Sequence, residues 1–87
     1  MNKFIKKQID EQTVSFLNLI DNFSKTDEDI INIFDKANQY IKEPLNGIIN
    51  QFVMDARLKG NVGESFERLI KKLNGTKLSD VIESDFR

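Results

Sequence analysis

Eighty-seven residues suffice for one domain and leave no room for a second core. Hydrophobic residues at 39% and charged residues at 31% make the chain too apolar to stay disordered and too charged to span a bilayer. With no cysteine and no histidine it lacks disulfides, thiolate nucleophiles, imidazole bases and the usual zinc ligands, and a net charge of -1 gives no broad basic surface for nucleic acid.

The apolar period is helical almost throughout. Ile9, Phe16, Leu17, Ile20 and Phe23 share a face, which predicts a helix over residues 3–23, weaker before Asp10. Ser24-Lys25-Thr26 breaks it. Thr26 is the expected cap of the second helix, with Asp27, Glu28 and Asp29 placing negative charge on its positive end. That helix presents Ile30, Ile31, Phe34, Ala37 and Ile41 and is expected to run to Lys42, because Pro44 cannot continue it. Pro44 also suits the first turn of a third helix, 44–58, with Leu45, Ile48, Ile49, Phe52, Val53 and Ala56 facing the core. Gly47 inside it costs about 1 kcal/mol relative to alanine, and close approach of a neighbouring helix would justify that cost. Gly60 is the expected left-handed stop.

Asn61-Val62-Gly63-Glu64 reads as a capping box, with Asn61 as cap and Glu64 reaching back. The fourth helix, 62–74, buries Phe66, Leu69, Ile70 and Leu73. Asn74-Gly75 stops it, and Thr76 or Ser79 opens a fifth helix carrying Leu78, Val81, Ile82 and Phe86. Connections of two to four residues predict a single-domain, all-α, small antiparallel bundle of four to five helices. Of the seven phenylalanines, Phe4 alone falls off a core stripe; Phe4 and Phe86 stand near the ends, where flanking chain would pack. No stretch approaches the roughly 18–20 apolar residues of a membrane span, and no apolar run follows Lys3, Lys6 and Lys7 as in a signal peptide. The chain as given is expected to be soluble.

Carboxylates are the abundant acid–base groups, yet they fall in no catalytic or ligating pattern. Asp27, Glu28 and Asp29 lack the glycine and the distal glutamate of a calcium loop, and dipole capping explains them better. Gly60-Asn61-Val62-Gly63 has neither the lysine nor the preceding strand of a phosphate loop. No enzyme, cofactor or metal is expected. Glu64 with Arg68 and Glu67 with Lys71 stand four apart on the fourth helix, the orientation that supports an exposed helix. The charges without core duty are Asp55, Arg57 and Lys59 on the third helix and Glu64, Glu67, Arg68 and Lys71 on the fourth. The turn at Gly60–Gly63 is expected to gather them into one mixed-charge docking patch.

One stretch is more specific. Pro44-Leu45, Asp55-Ala56-Arg57-Leu58-Lys59-Gly60, and Phe66 with Leu69 resemble the cytoplasmic F-domain of type II secretion and Tad-type pilus platform proteins. The likeness spans residues 10–85. Ser24-Lys25-Thr26 lacks the glycine usual in that family's turn, and the later family helices are absent. The resemblance implies a non-catalytic scaffold excised from a membrane-embedded parent, on the cytoplasmic face of the bacterial inner membrane. It would couple a secretion ATPase to pilin assembly through protein contacts with the ATPase and other platform subunits, and it leaves a homo-oligomer open. Lys3, Lys6 and Lys7 would then stand close to anionic headgroups. The alternative is a small helical regulator, of DNA-binding or mobile-element kind, or an adaptor. A DNA-binding regulator would use the fourth helix, where Glu64 and Glu67 offset Arg68, Lys71 and Lys72.

Overall fold

A computed structural model describes residues 1–86 as five α-helices: α1 (Lys3–Ser24), α2 (Ile30–Asn38), α3 (Leu45–Lys59), α4 (Val62–Lys72) and α5 (Lys77–Asp85). Each packs on the next, and α5 returns to α1, closing a circuit around one core. The expected all-α bundle is the architecture observed. None of the helices is long and apolar enough to cross a membrane.

Local chemistry sets the ends. Asn2 caps α1 by accepting Ile5 N–H at 2.8 Å, so the helix runs unbroken through Asp10 instead of weakening before it. The expected cap of α2 was Thr26; the observed cap is Asp29, which accepts from Ile31 N at 2.9 Å. Thr26 instead donates its hydroxyl to Phe23 C=O at 3.3 Å and closes the end of α1. Asp27 accepts Asp29 N–H at 2.9 Å, a turn that sets Asp29 in place. Gly60 (φ 68°) and Gly75 (φ 89°) take the left-handed region that ends α3 and α4. Asn61 and Thr76 cap the two helices that follow. Asn61 accepts Glu64 N–H at 3.0 Å, but the exposed Glu64 side chain does not return the bond, so the expected capping box is half made.

The larger departure is the α2–α3 connection. The second helix ends at Asn38, four residues before the expected Lys42, leaving a six-residue connection, 39–44, with a cis Glu43–Pro44 bond. Side chains hold it. Gln12 on α1 donates to Lys42 C=O at 2.6 Å and accepts Leu45 N–H at 3.3 Å. Asn38 and Asn46 each donate to the other's backbone carbonyl, at 2.9 and 3.0 Å. The Oδ1 of buried Asn38 has no partner. Glu43 folds over the start of α3 and accepts Gly47 N–H; a Cβ on Gly47 would stand 2.9 Å from its Oε2. The atoms within reach of a Gly47 Cβ belong to the Glu43 carboxylate, the flexible end of a side chain that can give way, and not to another helix.

The core is organised on phenylalanine. Phe34 of α2 is fully buried, and Phe16, Phe66 and Phe86 meet its ring edge-on at 5.5, 5.6 and 5.6 Å. Phe52 lies tilted against it at 5.3 Å, and Phe52 meets Phe66 at 4.7 Å. Each of the other four helices or its cap thus sends one aromatic ring to Phe34, in geometries that each contribute about 0.5–1.5 kcal/mol beyond area burial. Phe86, on a core stripe by spacing and near the end of the chain, packs inside this cluster. Phe4 is 71% exposed. Ile33 is buried off the expected stripe because α2 is packed on two sides, by α1 and α3.

Candidate functional site

Between α3 and α4 runs an open groove of about 270 Å³. Its floor is apolar, formed by Ile48, Phe52 and Leu69, and its rim is polar, with Gln51, Asp55 and Lys59 on α3 and Ser65, Arg68 and Lys72 on α4. The register of each helix dictates this. Ile48, Phe52, Asp55 and Lys59 recur at spacings of four, three and four, so they share one side of α3. Ser65, Arg68, Leu69 and Lys72 do the same on α4, and the two-residue turn at Gly60-Asn61 sets the sides against each other.

Two polar contacts cross the groove. Arg68 Nε donates to Asp55 Oδ2 at 2.7 Å, while a second nitrogen of the guanidinium reaches Ser65 Oγ at 3.3 Å. Lys59 Nζ stands 3.3 Å from Asp55 Oδ1. The Arg68 hydrogen bond, reinforced by Lys59, holds the Asp55 carboxyl below the usual carboxylate range. Bonded to Asp55, the Arg68 guanidinium keeps its proton more firmly than usual; the charges of Glu64 and Glu67 act in the same direction. Further along, Lys72 Nζ donates to the neutral amide oxygen of Gln51 at 2.6 Å. Among the residues that line the groove three cations face one carboxylate, while Glu64 and Glu67 add negative charge beside Arg68 from outside it. Met54 and Leu58, 54% and 82% exposed, form an apolar shoulder on the same helix, three and seven residues on from Gln51.

Only part of the expected patch lines the groove. Asp55, Lys59 and Arg68 meet in the groove. Arg57 departs to the α2 side, donating to Asn32 at 2.9 Å and Asp35 at 3.2 Å. Glu64, Glu67 and Lys71 are exposed on α4 and do not line the groove. A side chain two residues from Asp55 points about 200° away around a helix, which is why Arg57 leaves the set. Gln51 and Lys72, missed in the sequence, were recoverable from it: each lies four residues from an assigned groove residue, Asp55 and Arg68. Lys3, Lys6 and Lys7 are all exposed at the start of α1, and the stem of Lys6 lies over the α4–α5 turn, 3.6 Å from where a Gly75 Cβ would stand.

Among the described residues no three carboxylates converge as a metal site would require. No family model, curated protein or solved structure matches the chain. The positions that carry the F-domain resemblance have duties inside this fold: Pro44 precedes α3, Gly60 ends it, Asp55 holds Arg68, and Phe66 and Leu69 are core.

Proposed function

We propose that this chain is a non-catalytic docking domain that works through the α3–α4 groove. The supporting observation is the groove itself: an apolar floor under a charged rim, with an exposed apolar shoulder beside it. Such a surface suits a protein segment, with the buried floor supplying affinity and the charged rim supplying orientation and rate. The carboxylates offer no comparable arrangement. Asp27 and Asp29 serve the start of α2, Asp10 accepts Lys77 N–H at the start of α5, and Asp55 is held by two cations.

The finer proposal follows the sequence resemblance. The domain is the cytoplasmic part of a secretion or pilus platform protein, its partner is the cognate ATPase, and Lys3, Lys6 and Lys7 face the membrane surface. Apolar spans of about 20 residues are then encoded beside this segment in its gene; an open reading frame lacking them rules the platform role out. Calorimetry against that ATPase should show weak binding, micromolar or poorer, lost when Lys59 and Lys72 are both changed to glutamate. Undiminished binding by a normally melting double variant removes the groove as the docking site. The DNA-binding alternative gains nothing from the geometry, since Arg68 and Lys72 of α4 turn toward α3 instead of outward.

A further inference from the structure

The two contacts that cross the groove differ in kind. Arg68 is matched to a carboxylate and further bonded to Ser65, so it is committed to holding α4 against α3. Lys72 is bonded across the groove to Gln51, a neutral amide. A carboxylate adds a full opposite charge to the hydrogen bond with the ammonium, where the amide oxygen offers only a dipole. An incoming carboxylate can therefore take Lys72 from Gln51, whose exposed amide returns to water without an orphaned buried group. Lys59 adds a second reachable cation: it shares Asp55 with Arg68, and its side chain is 62% exposed. Lys59 and Lys72 flank the floor of Phe52 and Leu69, so the groove has cations on both helices around one apolar seat.

Resting on the docking reading, we propose that the partner segment is an acidic amphipathic helix. One apolar side chain of it seats on Ile48, Phe52 and Leu69, and its carboxylates engage Lys72 and Lys59. A helix laid along the groove places apolar residues at i, i+3, i+4 and i+7 toward the floor and toward the shoulder of Met54 and Leu58. A basic segment would be repelled by Lys59 and Lys72 and would offer the ammonium of Lys72 no better partner. The groove therefore selects by sign of charge as well as by apolar shape.

The test uses the whole 87-residue chain, isotopically labelled, and two synthetic 15-residue helical peptides sharing the same leucine stripe. One carries glutamate at the remaining positions and the other lysine. The acidic peptide is expected to shift the amide resonances of Gln51, Asp55, Ser65 and Lys72, and to bind at least about tenfold more tightly than the basic one. Lys59→Glu with Lys72→Glu should weaken it about tenfold or more, and the milder Lys59→Ala with Lys72→Ala should weaken it in the same direction while melting normally. Affinity should fall as salt rises. Equal binding of both peptides in the groove overturns the acidic partner while leaving a docking groove standing. Acidic-peptide shifts confined to Lys3–Lys7, or no binding of the acidic peptide, also overturn the proposal. The docking reading itself fails separately, if the groove substitutions leave the association with the natural partner unchanged.

Discussion

Phe34 shows how much a single residue can decide in a chain of this size. Its ring meets four others, drawn from α1, α3, α4 and the cap of α5, and none of its surface reaches solvent. Phe34→Ala removes the shared partner of all four and opens a cavity the fixed helix ends cannot close. The expected loss is about 3–5 kcal/mol, against about 0.5 kcal/mol or less for Phe4→Ala on the exposed start of α1. Urea denaturation of the two variants checks this, and similar midpoints would show that the aromatic cluster is not the centre of the core. Burial of Phe16, Phe34, Phe52 and Phe66 was legible from helical spacing alone. Their convergence on one ring was not, because spacing assigns a face and says nothing of which faces meet. Phe86, also on a core stripe by spacing, packs against the same ring.

At the scale of elements, α2 and its exit show where sequence punctuation falls short. Pro44 forbids helix there but does not fix where the preceding helix stops. It stops at Asn38 because side chains from elsewhere satisfy the backbone of the connection: Asn46 takes the Asn38 carbonyl, and Gln12, 30 and 33 residues away, takes Lys42 C=O and Leu45 N–H. Such long-range polar contacts leave no periodic trace. Gln12→Leu keeps the side-chain size while orphaning Leu45 N–H; Lys42 C=O keeps the Asn46 N–H at 3.1 Å. Since water reaches part of this region, the expected cost is about 1 kcal/mol, near the lower end for an unsatisfied group. Amide exchange should show the loosening concentrated at residues 42–46. Uniform loosening across α1, or no change, would mean that Gln12 does not secure the connection. Where the signals are local, as with Gly60, Gly75, Asn61 and Thr76, the sequence placed the stops and caps correctly.

For the whole molecule, two carboxylates tie elements together and make the fold acid-sensitive in a defined window. Asp27, lowered by the Asp29 N–H and by Lys36 Nζ at 3.0 Å, joins the α1–α2 turn to α2; Asp55, lowered by Arg68 and Lys59, joins α3 to α4. In the fold both carboxyls are held below the ordinary aspartate value of about 3.9 that the unfolded chain keeps. Their stabilisation is therefore complete above about pH 4–5 and is lost as pH falls through the lower folded values. Stability measured from pH 7 down to pH 2 should decline mainly below pH 4, and Asp55→Asn with Asp27→Asn should flatten that decline. An unchanged slope in the double variant would place the acid sensitivity elsewhere.

The site was half legible at this scale. Spacing selected Asp55, Lys59 and Arg68; Arg57, grouped with them, turns to α2 because two residues along a helix carry a side chain to the far side, and Glu64, Glu67 and Lys71 stand on α4 outside the groove lining. The central claim, that the α3–α4 groove is where this domain meets its partner, is tested most directly by site-specific photocrosslinking in the native protein in its own cell. A benzophenone side chain at Gln51 stands on the groove rim; one at Val14, 68% exposed on α1, stands on an element outside it. The account predicts a discrete adduct from position 51, none from position 14, and loss of the adduct when Lys59 and Lys72 are reversed to glutamate. The same adduct from both positions, or an adduct that survives the reversal, would contradict it.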